Sequence, residues 1–186
     1  MNHWDQELFS RAWDFATKKH AGQTYGGHEQ GMRIDYLNHI GAVVMELVWC
    51  LQHTKTSYNA NLAIQCAVLH DTLEDTLTSY EEIESFFGEE VFKGVLTLTK
   101  NKKLSSKEEQ MIDSLNRIMS LSPEIAMVKV ADRISNLYHP PFYWDNKKIE
   151  SYIKESKIIY DRLKRADALL LERLLTKISG YSKFKK

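Results

Sequence analysis

Apolar residues recur at helical spacing along most of the chain, and they predict a bundle of helices. Residues 4–20 carry apolar side chains at intervals of three or four, typical of an amphipathic helix. Further segments of this kind lie at 36–53, 61–76, 80–87, 91–98, 106–121, 123–139, 147–166 and 167–178. No segment shows the period-two alternation of a convincing strand. The pattern therefore predicts an all-α fold with about eight helices.

One long polar stretch interrupts this pattern between the first two helices. Residues 22–35 are rich in glycine and polar side chains and include the pair Gly26-Gly27. This composition predicts a loop rather than a regular element. Loops of this length in a compact domain are often functional.

The length and charge of the chain limit the classes of function. At 186 residues it fits one domain, residues 1–186, with a core of about 4–178 and a tail at 179–186, of which residues 183–186 are expected to be a solvated end. The 25 basic and 25 acidic residues balance, so the net charge does not favour binding to nucleic acid or to an anionic membrane. No apolar stretch reaches the length of a membrane span. A small-molecule partner is expected, and the oligomeric state stays open.

Only two cysteines occur, Cys50 and Cys66, and each lies in an apolar, helix-like segment. Such positions predict reduced thiols in the core rather than a disulfide framework. The N-terminal segment carries acidic and basic residues where a secretory signal would need an apolar stretch. Together these features predict a cytoplasmic protein.

Four ionisable side chains follow directly on the most apolar helix: His70, Asp71, Glu74 and Asp75. Charged groups at the end of a buried helix need a partner or an ion, because an isolated buried charge is costly. If the helix continues through residue 76, residues four apart share a face. The stretch then offers two metal ligands and two carboxylates free for proton transfer. An ordinary solvated turn is the alternative.

Two other helices offer similar groups, which favours the metal site over the turn. His39 lies near the first turn of the helix at 36–53, and Asp132 follows the apolar stretch that begins at Ile125. Two imidazoles and two carboxylates form a mixed nitrogen and oxygen donor set. That set suits a borderline-to-hard divalent ion, and zinc is not excluded by ligand type.

Four sequence motifs, which follow one another along the chain, together resemble those of a known protein family. They are Tyr36-Leu37-Asn38-His39, the stretch from Ala67 to Thr76, Leu98-Thr99-Lys100, and the stretch from Val128 to Leu137. Together they resemble the HD-superfamily hydrolases of the SpoT/RelA type, particularly the small single-domain alarmone hydrolases. The resemblance implies a single HD-type helical bundle that hydrolyses the 3′-pyrophosphate of a nucleotide and releases pyrophosphate.

The resemblance also implies roles for individual residues. Manganese, or another divalent ion, would be held by four ligands: His39, His70, Asp71 and Asp132. The acidic pair of the family falls on Glu74 and Asp75, which would orient and deprotonate the attacking water. Substrate contacts would come from Asn136 at the nucleoside and from Lys100, Lys148 and Tyr152. Arg133 and Lys129 are expected to form structural ion pairs.

The chain departs from the family on the side of the base. Guanosine alarmone hydrolases have an Arg-Lys pair after His-x-x-Gln, whereas Gln23 is followed here by Thr24-Tyr25-Gly26-Gly27. We expect Tyr25 to stack on the purine instead. A (p)ppGpp-type nucleotide is the expected substrate, with (p)ppApp as an alternative. Another nucleotide phosphohydrolase, such as an NADPH 2′-phosphatase, and a non-catalytic nucleotide-binding module are further alternatives.

Overall fold

The computed structural model describes residues 2–186. Within that range the chain forms ten α-helices, one pair of short strands and a C-terminal 3-10 helix. The elements are α1 (Gln6–Lys19), β1 (Thr24–Gly26), β2 (Arg33–Asp35), α2 (Tyr36–His53), α3 (Ala60–Leu69), α4 (Thr72–Asp75), α5 (Tyr80–Phe87), α6 (Glu89–Leu98), α7 (Lys107–Met119), α8 (Pro123–Asn136), α9 (Asn146–Arg162), α10 (Ala168–Gly180) and the 3-10 helix Tyr181–Phe184. The predicted all-α class is confirmed.

Local capping sets several of the helix ends. The Asp5 carboxylate accepts hydrogen bonds from the backbone of Glu7 and Leu8 at the start of α1. Ser79 and Glu82 form a reciprocal capping box at the start of α5. Pro123 occupies the first turn of α8, where its missing N–H costs no helical hydrogen bond.

The core lies around α3, whose residues from Leu62 to Leu69 are all buried. This helix packs against α1, α2, α6 and α8, and α2 also packs against α8. Helices α2, α3 and α8 therefore contact one another, and each bears ligand-type residues. Both cysteines are buried and unbonded, as the sequence predicts. Within residues 2–186, no helix combines the length and the apolar character that crossing a membrane requires.

The predicted helix at 61–76 is wrong in its continuity. α3 ends at Leu69, and α4 begins at Thr72 after a two-residue turn. The Thr72 hydroxyl donates to the carbonyl of Leu69 at 2.6 Å, and the imidazole of His70 bonds the carbonyl of Ala67 at 2.7 Å. These side chains satisfy carbonyls that the next helical turn would otherwise use. The four-residue spacing therefore does not place His70 with Glu74 on one continuous helical face.

The sequence predicted a loop throughout residues 22–35, but the structure has two short paired strands within this stretch. Thr24 pairs with Asp35, Tyr25 with Ile34 and Gly26 with Arg33 in an antiparallel pair. Strands of three residues are too short to display an alternating pattern, which is why periodicity missed them.

The lysines of the C-terminal tail are exposed, as expected for a solvated end at 183–186, but two aromatic side chains of the tail are packed. Tyr181 is 1% exposed, and Phe184 packs against the core. The backbone of Lys186 exchanges two hydrogen bonds with the side chain of Asn146 at the start of α9. Tyr181 and Phe184 are only two residues, three positions apart, and so short a pattern does not predict from sequence that they pack against the core.

Candidate active site

Three ligand-type side chains meet where α2, α3 and α8 come together. His39 lies in the first turn of α2, His70 follows the last residue of α3, and Asp132 lies in the C-terminal half of α8. Their donor atoms lie within 4.8 Å of one another, and all three side chains belong to buried residues. The packing of the three helices therefore builds a compact group from distant parts of the chain.

Asp71, the fourth candidate ligand, borders this trio. Its Oδ2 atom lies 2.9 Å from Nε2 of His70 and 3.7 Å from Nε2 of His39. On the other side, Nε2 of His39 is 3.5 Å from Oδ1 of Asp132. The two imidazole Nε2 atoms and the two carboxylates thus face one another.

The two histidines present Nε2 to the carboxylates because Nδ1 is engaged elsewhere. Nδ1 of His70 lies 2.7 Å from the carbonyl oxygen of Ala67, which can only accept, so this nitrogen carries the proton. Nδ1 of His39 is 3.1 Å from the Ser135 hydroxyl. Nε2 of His70 is buried and has no hydrogen-bond partner of suitable geometry, although it lies close to Asp71. A buried imidazole nitrogen that faces carboxylates without a hydrogen bond of its own can become a metal ligand once the ion displaces its proton.

The charges around the group keep its two carboxylates ionised. Burial lowers the pKa of His70, but the charge of Asp71 outweighs this effect and raises the pKa to about 9. Burial would raise the pKa of Asp132, yet the Lys129 ammonium, 2.8 Å from its Oδ2, holds that pKa well below its usual value. The pKa of Asp71 is also lowered, because the charge of His70 outweighs the effect of burial. Both carboxylates are therefore ionised at neutral pH.

The donor set fits a divalent metal ion. It combines a buried, unpartnered imidazole nitrogen with a second imidazole and two ionised carboxylates. Mixed nitrogen and oxygen ligands suit borderline-to-hard divalent ions. Lys129 was expected to form a structural ion pair and does so with Asp132, while Arg133 approaches Glu155 at 3.6 Å.

Glu74 and Asp75, which the sequence predicts to be free for proton transfer, both have hydrogen-bond partners in the structure. Glu74 accepts hydrogen bonds from the Lys100 ammonium at 2.7 Å and from the Lys100 backbone at 3.1 Å. Asp75 Oδ2 lies 3.1 Å from the hydroxyl of Tyr36, whose oxygen is also 2.6 Å from Asp71. Burial, followed by the charge of Asp71, raises the pKa of Asp75. Tertiary neighbours that the local sequence does not reveal supply these partners.

Two of the predicted substrate contacts lie beside the group. Asn136 donates its amide to the carboxylate and to the backbone carbonyl of Asp132, at 2.5 and 3.1 Å. Lys100 is linked to the group through Glu74, and its side chain is 41% exposed. Both side chains therefore lie at the edge of the group, bonded to Asp132 and Glu74 respectively.

The other three predicted contacts lie further from the donor group. Tyr25 packs edge-on against Tyr36, with centroids 6.2 Å apart, and its hydroxyl accepts from Asn38 at 3.0 Å. Tyr152 lies under the guanidinium of Arg133, and its pKa rises to about 12, chiefly through burial. Lys148 is exposed, and its ammonium lies 5.3 Å from the Trp144 ring centroid. None of these three contacts a candidate ligand directly within the described residues.

Sequence reasoning missed Tyr36 and Ser135 as neighbours of the site. The hydroxyl of each bonds a candidate ligand, Asp71 and His39 respectively. Both residues lie inside motifs that identified their neighbours, three positions before His39 and three after Asp132. A tyrosine or serine near a helix end is too common to be distinguished by pattern alone.

Comparison with known proteins places this geometry in a family. The family model described as HD domain matches residues 12–168. Guanosine-3′,5′-bis(diphosphate) 3′-pyrophosphohydrolase MESH1 of Danio rerio is 30% identical over 87% of each chain. A guanosine-3′,5′-bis(diphosphate) 3′-pyrophosphohydrolase of Aquifex aeolicus is 33% identical over 86% of this chain and 22% of its own length.

A solved structure gives the same assignment. It is described as a metazoan ortholog of SpoT that hydrolyzes ppGpp, and it superposes with a TM-score of 0.79 at 25% identity. The superposition covers 95% of this chain and 97% of the other. The match over most of the chain in both sequence and fold gives one conclusion: the chain belongs to the HD-domain family.

Proposed function

We propose that this protein is a metal-dependent hydrolase that removes the 3′-pyrophosphate of a ppGpp-type nucleotide. The observation that carries the proposal is the buried group of imidazoles and ionised carboxylates, with two more carboxylates in the short helix α4 beside it. The relatives named as guanosine-3′,5′-bis(diphosphate) 3′-pyrophosphohydrolases support this substrate class. They do not favour the adenosine alternative, another phosphohydrolase activity or a non-catalytic module.

In this proposal four side chains hold the metal: His39, His70, Asp71 and Asp132. Manganese is the ion that the family resemblance suggests. A divalent ion at this position supplies Lewis-acid chemistry, which makes an attacking water more acidic and draws charge from phosphoryl oxygens. Lys129 bonds Oδ2 of Asp132 and Asn136 bonds its Oδ1, so the carboxylate keeps one orientation.

Glu74 and Asp75 carry protons. Both lie in α4, directly after the turn that bears His70 and Asp71. One carboxylate takes the proton of the attacking water, and the other delivers a proton to the leaving oxygen. The raised pKa of Asp75 suits the donor, so we assign the base to Glu74.

Lys100 links substrate binding to the release of this base. Its ammonium bonds Glu74 at 2.7 Å, but it is 41% exposed and flexible enough to turn outward. A pyrophosphate group carries more negative charge than one carboxylate and draws the ammonium toward itself. Binding of substrate would thereby free Oε1 of Glu74 for proton transfer, while Oε2 keeps its bond from the Lys100 backbone N–H.

The proposal is tested by incubating the protein with ppGpp and manganese and separating the products by chromatography. We expect equal amounts of GDP and pyrophosphate, because the bond broken joins the 3′-oxygen to phosphorus. Release of single phosphates, or no turnover, would contradict the proposal. A parallel assay with ppApp tests base preference, and faster turnover of ppApp would restore the adenosine alternative.

Replacing Tyr25 by alanine tests the base side of the pocket. We expect KM for ppGpp to rise roughly tenfold, because one aromatic stacking contact contributes about 1–2 kcal/mol. Tyr25→Phe should keep the parent KM, since it keeps the ring and loses only the contact with Asn38. Steady-state kinetics with saturating manganese measure both values.

The control for Tyr25 is Tyr80→Ala, which removes another half-exposed tyrosine, at the start of α5. Its KM should equal that of the parent. Metal content should be the same in all variants. If Tyr25→Ala leaves KM unchanged, the base is recognised by a different side chain, and Tyr138 is the next to test.

A further inference from the structure

We propose that Tyr36 is a positioning residue that sets the orientation of both Asp71 and Asp75. This inference rests on the proposed function, in which Asp71 is a metal ligand and Asp75 carries a proton. It adds a residue to which neither the sequence nor the family resemblance gave a role. Tyr36 acts through these two carboxylates and not by touching substrate.

The hydroxyl of Tyr36 lies between the two carboxylates. Its oxygen is 2.6 Å from Oδ2 of Asp71 and 3.1 Å from Oδ2 of Asp75. The same Oδ2 atom of Asp71 faces the Nε2 atoms of His70 and His39. A hydrogen bond to this oxygen therefore limits rotation of the carboxylate while one of its lone pairs remains for the metal.

The tyrosine ring is itself held on several sides. His20 stacks on it, with centroids 4.9 Å apart and ring planes 18° from parallel. His20 is 2% exposed, and its Nδ1 lies 2.6 Å from the side-chain oxygen of Gln23. The backbone N–H of Tyr36 donates to the carbonyl of Gln23 at 3.0 Å. The rings of Tyr25 and His39 pack against it edge-on.

This arrangement connects the end of α1 to the metal group. Gln23 holds His20, His20 supports the Tyr36 ring, and the Tyr36 hydroxyl reaches Asp71 and Asp75. A side chain fixed by packing on its ring has little freedom to leave the carboxylates that it orients. Loss of such an outer partner typically weakens metal binding by about 10- to 100-fold.

The experiment compares Tyr36→Phe with the parent full-length chain. Manganese affinity is measured by calorimetric titration, and ppGpp hydrolysis is measured at saturating manganese. We expect roughly tenfold weaker manganese binding, because Asp71 loses its partner. We also expect kcat to fall roughly tenfold, with KM for ppGpp within about twofold, because Asp75 loses its orientation without any loss of substrate contact.

Tyr58→Phe is the matched control. Its hydroxyl also bonds an aspartate, at 3.1 Å from Oδ2 of Asp167 at the start of α10. Loss of this bond should leave both manganese affinity and kcat at parent values. If Tyr58→Phe and Tyr36→Phe shift both quantities equally, the effect is one of general stability and the proposal is wrong.

A second variant tests whether His20 acts through Tyr36. His20→Leu removes the stacked ring and should weaken manganese binding in the same direction. Combined with Tyr36→Phe it should cause no further loss of manganese affinity, because both changes act through the same hydroxyl group. Additive losses would contradict the proposed connection.

Failure of this inference is distinguishable from failure of the proposed function. A parent protein that neither binds manganese nor hydrolyses ppGpp would overturn the proposed function, and this inference with it. A parent that does both, beside a Tyr36→Phe variant with unchanged manganese affinity and kcat, would overturn only the role of Tyr36.

Discussion

Replacing His70 or Asp71 by alanine should abolish both bound manganese and hydrolysis of ppGpp. Each change removes one of four proposed ligands and leaves an incomplete donor set in a buried site. The Nε2 atom of His70 has no hydrogen-bond partner, so its proposed function there is to bind the ion. The loss of activity should therefore follow the loss of metal rather than the loss of a local contact.

Metal content of the purified variants, measured by elemental analysis, checks this result beside the activity assay. His53→Ala and Asp161→Ala are suitable controls, because they remove a histidine and an aspartate from exposed positions on α2 and α9. Both controls should retain metal and turnover. Full manganese occupancy in His70→Ala or Asp71→Ala would exclude that residue as a ligand.

Replacing Glu74 by glutamine should preserve manganese binding and lower kcat by about 10²–10⁴-fold. Glutamine keeps the shape of the side chain but cannot accept the proton of the attacking water, and general-base catalysis typically contributes a factor of this size. Asp75→Asn should keep the metal and lose turnover to a similar extent. Rapid kinetics and metal analysis of the same preparations separate the two properties.

Glu74→Gln also removes the ion pair with Lys100, so a further variant is needed to separate the loss of this ion pair from the loss of the base. Lys100→Met removes the ammonium that bonds Glu74 but leaves the carboxylate able to take a proton. We expect this variant to raise KM for ppGpp more than it lowers kcat, whereas Glu74→Gln should lower kcat at constant KM. Near-normal turnover in both Glu74→Gln and Asp75→Asn would show that the acidic pair does not carry protons.

Much of the secondary structure could be predicted because it depends on neighbouring residues. The predicted bounds of α2 and α5, residues 36–53 and 80–87, are those observed. Both helices have a regular apolar stripe, and α5 also has clear end signals, the capping box at Ser79 and the positive φ of Gly88. The short strands and the turn after Leu69 lacked such signals, because each involves only two or three residues.

The chemical character of the site also follows from the sequence. Ionisable residues directly after an apolar helix indicate a function, because burial of an unpaired charge is costly. That argument selected His70, Asp71 and Asp132 without any knowledge of their neighbours. It could not distinguish a free carboxylate from a paired one, and so the partners of Glu74 and Asp75 were missed.

The sequence by itself determined the helical class, most helix bounds and the residues able to bind a metal, since apolar period and side-chain chemistry are local properties. Only the tertiary structure decided which of those residues meet. The Tyr36 hydroxyl reaches Asp71 across 35 positions of the chain, and Lys100 reaches Glu74 across 26. Hydrogen bonds tolerate errors of only a few tenths of an ångström. Such precise distances depend on how the helices pack against one another, and no local sequence pattern encodes that packing.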